Sequence, residues 1–223
     1  MIDITFALET CALCPNAAVM SIGAVVWNRY AEDSPFEEWE GRDEPVYKNF
    51  SAHVDLRGMF LDGFTFDKQT ADWWSRQKPE AKRALLDNDS EDSPCSPIDK
   101  VIKDFFDWMF DLEKKSDENN KVAVWCQGSD FDIAILRNIC HKYSIKIPVG
   151  HSEFRDHRTF FLESARIICE KAGTDFDKNR AYSLVERYEG QGLAHDPIYD
   201  CKKSIYSTWQ MMKYLRSLKT YQE

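Results

Sequence analysis

The sequence has no window of 18 apolar residues, and its amino-terminal segment carries neither a basic stretch nor a long apolar core. It therefore predicts no membrane-spanning helix, no signal peptide and no membrane partner. Positive charge is also scarce, since 29 basic against 38 acidic side chains give a net charge of -9. A general electrostatic nucleic-acid binder is disfavoured, because such affinity comes mainly from Lys and Arg, although bound metal ions can supply positive charge locally.

A disulfide framework is lacking too, because the seven cysteines are odd in number and scattered along the chain. This usage favours a reducing, cytoplasmic location. Cys11 and Cys14 form one close pair. Without a second pair or a histidine at ligand spacing, they are better interpreted as ordinary turn cysteines than as a zinc site. Internal repeats and linkers are absent, so we expect one domain over residues 1–223, with 43% hydrophobic content to build its core.

Two strand-like segments stand near the start of the chain. Residues 5–10 and the apolar run 17–27 are separated by a turn through Cys14-Pro15-Asn16. Glu9 falls at the carboxyl end of the first strand, where its carboxylate can face a cleft. Residues 46–54 predict a third strand, which completes an antiparallel meander.

The rest of the chain alternates between strand and helix patterns. Residues 121–126 predict a buried strand, which turns into a helix over 131–143 that carries Asp132 near its start. Further helices are predicted at 70–77, 79–87, from 98 to about 115, from 159 to about 173, at 182–188 and at 196–218. The helix after Pro97 is expected to bury a stripe of Val101, Ile102, Phe105, Phe106, Met109 and Phe110. This order predicts an α/β fold with helices on both faces of the sheet.

Trp73 and Trp74 are adjacent on a predicted helix. Neighbouring helical positions are about 100° apart, so one ring can enter the core while the other faces elsewhere. Both rings are therefore interpreted either as core residues or as a pair in which one lines a cleft and stacks on a nucleobase.

The order of the acidic residues along the chain carries more information than any one of them. Glu9 lies at the end of a predicted strand, and Asp132 lies at the start of a predicted helix. His195 and Asp200 then lie at the start of the last predicted helix. The sequence resembles the DnaQ-like exonucleases of the DEDDh group, in the ribonuclease H-like superfamily, including their phage and exoribonuclease-like members. The resemblance spans most of the chain and rests on these segments: Ala7-Leu8-Glu9-Thr10, Ser21-Ile22-Gly23-Ala24-Val25, Thr70-x-x-Trp73-Trp74-x-x-Gln77, Trp125-Cys126-x-Gly128-x-x-Phe131-Asp132, Arg155-Asp156-x-Arg158-Thr159 and Ala194-His195-Asp196-x-x-x-Asp200-Cys201.

The resemblance implies a five-stranded mixed sheet and a 3'-5' exonuclease that uses two divalent cations, Mg²⁺ or Mn²⁺. It implies that Glu9 and Asp200 hold the metal that activates water and that Asp132 helps to place the second. His195 would be the general base, since an imidazole titrates near neutral pH. The implied substrate is single-stranded DNA or RNA, or short oligonucleotides.

The same resemblance suggests substrate contacts around the metals: Thr10, Trp73, Trp74, Gln77 and Phe131. Arg155 and Arg158 are candidates for phosphate contacts, with an ion pair to Asp156 or to surface acids as the alternative for both. Whether the sugar is ribose or deoxyribose depends on cleft contacts that the sequence does not reveal. The oligomeric state is also left open.

Ala7 departs from the family, which has at this position an aspartate that bridges both metals. A methyl group cannot ligate a cation, so this chain is expected to be inactive or nearly so. One interpretation is an engineered substitution in an otherwise intact 3'-5' exonuclease. The alternative is a natural pseudoenzyme that binds nucleic acid or a nucleotide signal without cleaving it.

Overall fold

The strand predicted near the start of the chain lies at the centre of a five-stranded sheet. The computed structural model describes residues 2–37, 49–86, 94–115 and 122–218. Its strands are β1 (Ile2–Thr10), β2 (Val19–Trp27), β3 (Phe50–His53), β4 (Val122–Cys126) and β5 (Phe154–Asp156). Its helices are α1 (Leu56–Leu61), α2 (Lys68–Ser75), α3 (Pro79–Leu86), α4 (Ile98–Lys115), α5 (Ala134–Lys142), α6 (His157–Lys171), α7 (Lys178–Ser183) and α8 (Pro197–Ser217). A π-helical turn, Ser129–Ile133, leads into α5, and a 3₁₀ turn, His151–Glu153, precedes β5.

The five strands form one mixed sheet in the order β3-β2-β1-β4-β5. β1 pairs antiparallel with β2 and parallel with β4, and β4 pairs parallel with β5. The expected five-stranded mixed sheet is therefore confirmed. Because β1 and β4 run in the same direction, their carboxyl ends lie at the same edge of the sheet.

The two faces of β1 have different chemistry, because side chains alternate along a strand. Ile4, Phe6 and Leu8 belong to the core shared with α4, where the rings of Phe6 and Phe105 are 5.8 Å apart. The opposite face carries Asp3, Thr5, Ala7 and Glu9 toward α6 and α8. Ala7 there packs against a cluster that includes Cys201 and Ile205 of α8. Helices therefore cover both faces, as predicted.

Gly23 allows α8 to lie against the sheet. A Cβ at this position would be 2.9 Å from both the backbone N of Ile198 and the Cβ of Pro197. The helix begins at a cap formed by Asp196, whose side chain accepts hydrogen bonds from Ile198 N at 2.8 Å and Tyr199 N at 3.3 Å. The close approach brings the first turn of α8 to the edge where β1 ends.

Several local predictions need correction. Phe110 is 49% exposed and lies under the Nζ of Lys114, while Leu112 is buried on α4 instead. The helix predicted at 182–188 is wrong over most of that range, because α7 begins after its cap Asp177 and already ends at Ser183. The third strand covers Phe50–His53. Predicted features at 38–48, 87–93 and 116–121 lie outside the described residues.

Composition-based expectations can also be compared with the structure. None of the seven cysteines, all of which lie within the described residues, forms a disulfide, and the Sγ of Cys14 lies 3.4 Å from the Oγ1 of Thr65. Within the described ranges, no helix is both long enough and apolar enough to cross a membrane.

Candidate active site

Three predicted site residues converge at the carboxyl end of β1. Glu9 stands one residue before the end of this strand, Asp200 lies in the first turn of α8, and His195 precedes that helix. One ligand atom from each of the three lies within 4.8 Å of the others. Two oxygen donors and one imidazole from segments far apart in the sequence therefore share one site.

Asp132 joins this site from the neighbouring strand end. It lies in the π-helical turn that follows β4, and it is almost completely buried. Its Oδ1 accepts a hydrogen bond from the backbone N of Leu8 at 3.2 Å, which ties the turn to β1. Gly128, at φ 146°, begins the turn, and the Arg158 guanidinium fills the space that a Cβ would need there.

The electrostatics of this cluster favour a cation. Burial raises the pKa of Glu9 to about 9, and the negative charges of Asp200, Asp132 and Asp196 add to the effect. Burial also raises the pKa of Asp132 to about 7. A divalent cation would relieve this repulsion and would find the oxygen donors that Mg²⁺ and Mn²⁺ prefer. The donor set thus fits a metal ion.

Ala7 lies on the same face of β1 as Glu9 and lines a cavity of about 480 Å³. Its methyl group offers no donor. The cavity extends from Glu9, Asp132 and Asp200 between β1, α6 and α8, where Phe131 and Arg158 also line it. Phe131 and Arg158 are therefore the predicted substrate contacts that share a cavity with the carboxylates.

Trp73 and Trp74 lie around His195 and not in the buried core. Their ring centroids are 4.8 Å and 5.5 Å from that of His195, and both rings meet the imidazole edge-on. Trp73 is 39% exposed, and the Nε1 of Trp74 donates a hydrogen bond to the Thr10 carbonyl at 3.0 Å. The interpretation of both rings as core residues is therefore wrong.

His195 itself has a backbone conformation that few L-residues adopt, with φ at 71°. Its backbone N donates a hydrogen bond to the Oδ2 of Asp200 at 3.3 Å. The aromatic contacts and this backbone contact hold the imidazole beside the carboxylates.

Three other predicted substrate contacts have internal hydrogen bonds. The hydroxyl of Thr10 is buried and donates to the Ala12 carbonyl at 2.7 Å. Gln77 Nε2 donates to the Trp73 carbonyl at 3.1 Å, and Arg155 Nη1 donates to the Phe154 carbonyl at 2.9 Å. The structure thus directs these three polar groups to the backbone of the protein.

His157 was missed by the sequence reasoning. It is fully buried on the wall of the same cavity, with its ring nitrogens 2.8 Å from the Thr5 hydroxyl and 2.7 Å from the Thr208 hydroxyl. Its ring stacks on Trp125 at 4.9 Å, and burial lowers its pKa to about 3. No spacing marks it, because its partners lie 152 and 51 residues away.

The sheet order and the acidic residues at the ends of β1 and β4 define a ribonuclease H-like nuclease fold. Two solved structures share this fold. The nuclease domain of 3'hExo, a DEDDh family member bound to rAMP, matches with a TM-score of 0.52 and 14% identity over 96% of this chain and 92% of its own. The cell-death related nuclease CRN-4 matches with a TM-score of 0.55 and 16% identity over 96% of this chain and 64% of its own.

Sequence comparison identifies the family. A model of the 3'-5' exoribonuclease Rv2179c-like domain matches residues 1–208. The exodeoxyribonuclease of Enterobacteria phage T4 is 26% identical over 227 residues, which cover 96% of this chain and 88% of the phage protein. The chain belongs to the Rv2179c-like family of 3'-5' exonuclease domains, and its predicted relation to the DnaQ-like DEDDh nucleases is confirmed.

Proposed function

We propose that this chain has the framework of a metal-dependent 3'-5' exonuclease for single-stranded nucleic acid or short oligonucleotides, inactivated at Ala7. The observation that carries the proposal is the convergence of Glu9, His195 and Asp200 within 4.8 Å. Use of divalent metal ions is general among DEDDh nucleases. The raised pKa of Glu9 reflects burial first and the neighbouring carboxylates second, and a bound cation would offset both.

Each residue has a proposed task. Glu9 and Asp200 would hold one cation, and Asp132 would help to hold a second. When bound, the cations stabilise negative charge on the attacking and leaving oxygens of the phosphoryl group. His195 would accept the proton of the attacking water, with its ring oriented by the edges of Trp73 and Trp74.

The predicted substrate contacts differ in whether their side chains are accessible or already hydrogen-bonded within the protein. Phe131 lines the cavity, and Trp73 is partly exposed. Arg158 supplies positive charge, which offsets part of the rise in the pKa of Asp132 that burial causes. Thr10, Gln77 and Arg155 stay predictions as substrate contacts. Each would have to exchange an internal hydrogen bond for one to substrate.

Ala7 accounts for the proposed loss of activity. Without the bridging carboxylate, the metal pair would lose several kcal/mol of transition-state stabilisation. At about 1.4 kcal/mol per decade, the rate would fall roughly a hundred-fold to a thousand-fold or more. The second candidate function, a binding protein without cleavage, is favoured by Ala7 itself. In that case the cavity would hold a 3' end or a short or cyclic nucleotide signal.

The test is restoration of the carboxylate. Ala7→Asp is compared with this chain for release of mononucleotides from 3'-labelled and 5'-labelled single-stranded RNA and DNA, in Mn²⁺ and in Mg²⁺. We expect activity in the restored protein alone, with the 3' label released first. RNA and DNA are both needed, since the matched family is described as exoribonuclease and the phage relative as exodeoxyribonuclease.

A matched control carries His195→Asn in the restored protein. Asn tolerates a positive φ, so this variant removes the imidazole and keeps the backbone conformation. It should lose the restored activity while folding normally. Oligonucleotide binding without cleavage in Ala7→Asp would refute the exonuclease and favour the binding protein.

The proposal extends to the whole chain and its location. One domain over residues 1–223 agrees with a family match that spans residues 1–208. A cytoplasmic location, which would be the host cytoplasm for a phage-encoded protein, agrees with seven cysteines that form no disulfide.

A further inference from the structure

An apolar groove lies beside the helix that carries the two tryptophans. Its volume is about 460 Å³, and its walls come from α1, α2, α3 and the segments next to β1 and β2. Phe60, Phe66 and Trp74 supply its aromatic surface, and Lys82 stands on its wall. This groove is separate from the cavity that contains the carboxylates, since the two share no lining residue.

Trp74 connects the groove to the candidate active site. The ring that lines the groove is also 5.5 Å from the ring of His195 and 4.9 Å from that of Trp73. On the far side, Phe60 and Phe66 meet edge-on at 5.8 Å. Aromatic surface is therefore available from His195, through Trp73 and Trp74, to Phe66 and Phe60.

The rim of the groove exposes apolar rings to water. Phe60 is 42% exposed and Phe66 is 64% exposed. Exposed apolar surface of this kind, next to a polar site, is typical of a binding surface. Two neighbouring rings that face solvent beside the candidate active site offer a stacking surface for a ligand with flat, apolar faces.

The surroundings of the groove are less acidic than the protein as a whole. Residues 55–82, which include α1, α2 and the start of α3, carry five basic and five acidic side chains in a chain of net charge -9. The Nζ of Lys82 donates one hydrogen bond, to the Ser75 carbonyl at 3.0 Å, and an ammonium group has two further donors. The groove therefore combines aromatic faces with a cation, which is the chemistry of single-strand binding sites.

We propose that the groove holds the bases immediately upstream of the 3' end in a single-stranded nucleic acid, with Phe60 and Phe66 as stacking surfaces. This inference rests on the proposed function, since the 3' nucleotide would occupy the site of Glu9 and His195. The bases stack regardless of identity, because each has a π-face. Lys82 contacts a phosphate of the same strand. A protein ligand would not require continuity with His195, so nucleic acid is the favoured occupant.

The experiment measures affinity as a function of length. Fluorescently labelled oligonucleotides of two, four and eight residues, in thymidine and in adenosine series, are titrated with this chain and followed by anisotropy. The double variant Phe60→Ala/Phe66→Ala is expected to weaken binding of the eight-residue strand about tenfold or more. Its affinity for the two-residue strand should not change. Lys82→Gln should weaken binding of the long strand and reduce its salt dependence.

The matched control is Leu61→Ala, which removes an even more exposed apolar side chain of α1 that does not line the groove. It should bind every strand as the parent does. Equal affinities of the double variant and the parent for the eight-residue strand would overturn the proposal and leave a protein ligand for the groove. Equal weakening of long and short strands would also overturn it, because the variant would then have disturbed the active site.

Failure of this inference is distinguishable from failure of the proposed function. The same double variant is made in the Ala7→Asp protein, where KM for the eight-residue strand should rise and turnover of the two-residue strand should stay the same. An inactive Ala7→Asp protein whose length-dependent binding still requires Phe60 and Phe66 would refute the exonuclease and support the groove. An active Ala7→Asp protein whose KM for the eight-residue strand is unchanged by the double variant would support the exonuclease and refute the groove.

Discussion

Replacing Glu9 by Gln is expected to stabilise the metal-free protein above neutral pH, although it removes a proposed metal ligand. Burial, reinforced by Asp200, Asp132 and Asp196, raises the pKa of Glu9 from 4.5 to about 9. The carboxyl group ionises near 4.5 in the unfolded chain, so between these values the folded chain binds the additional proton. The stability linked to this proton is complete below pH 4.5 and is lost as the pH rises through 9.

The size of the effect follows from the distance between the two pKa values. Each pH unit between them costs about 1.4 kcal/mol of unfolding free energy. The folded protein therefore loses up to ~5 kcal/mol by pH 8 and under ~1 kcal/mol by pH 5. Gln does not ionise, so the free energy of unfolding of the variant should exceed that of the parent by a margin that grows with pH.

The assay is urea unfolding at pH 5, 6.5 and 8 in the presence of EDTA, followed by circular dichroism. Glu163→Gln is the control, because Glu163 is an exposed carboxylate on α6 whose Oε2 lies 3.6 Å from Arg166. Its margin over the parent should be small at every pH. A margin for Glu9→Gln that is flat from pH 5 to pH 8, or negative at pH 8, would refute the reasoning. Adding Mn²⁺ should favour the parent, since a cation stabilises only the ionised carboxylate.

Two further predictions concern the packing around the site. Gly23→Ala should cost about 1–3 kcal/mol in urea unfolding, because the new methyl group meets the backbone of α8 at 2.9 Å, whereas Ser51→Ala on the adjacent strand should be close to neutral. Burial lowers the pKa of His157 to about 3, so the stability that its neutral form contributes is full above pH 6.5 and is lost as the pH falls toward 3. The parent's free energy of unfolding should therefore exceed that of His157→Gln by a difference that shrinks by about 1.4 kcal/mol per pH unit below 6.5. Unfolding at pH 7.5 and pH 4.5 tests this trend. The control is His141→Gln, at an exposed position, which should not show it.

Local sequence pattern located the elements that contain their own signals. β1, β2 and β4 are apolar runs of strand length, and α8 has both a capping Asp and a long buried stripe. β5 was missed, because three residues form a strand only through their pairing with β4. α7 was placed too late, although Asp177 before Lys178 is a cap signal that the sequence does contain.

The site was predictable to the extent that strand ends and family motifs specify it. The grouping of Glu9, His195 and Asp200 follows from the order of the elements along the chain, while their chemical roles stay predictions. The surroundings of Trp73 were not predictable, because helical spacing does not reveal which ring meets the segment that carries His195. The hydroxyl of Thr10 likewise looked free in sequence, and its backbone acceptor became evident only in the folded chain.

The wide separation of the site residues has a consequence for synthesis of the protein. Glu9 leaves the ribosome early, whereas His195 and Asp200 emerge only when α8 is made. Until then α8 does not cover Ala7 on its face of β1, and the cluster lacks both a carboxylate and its imidazole. A growing chain therefore cannot complete this site until residue 200 has been made, and fragments that stop before residue 195 cannot form it at all.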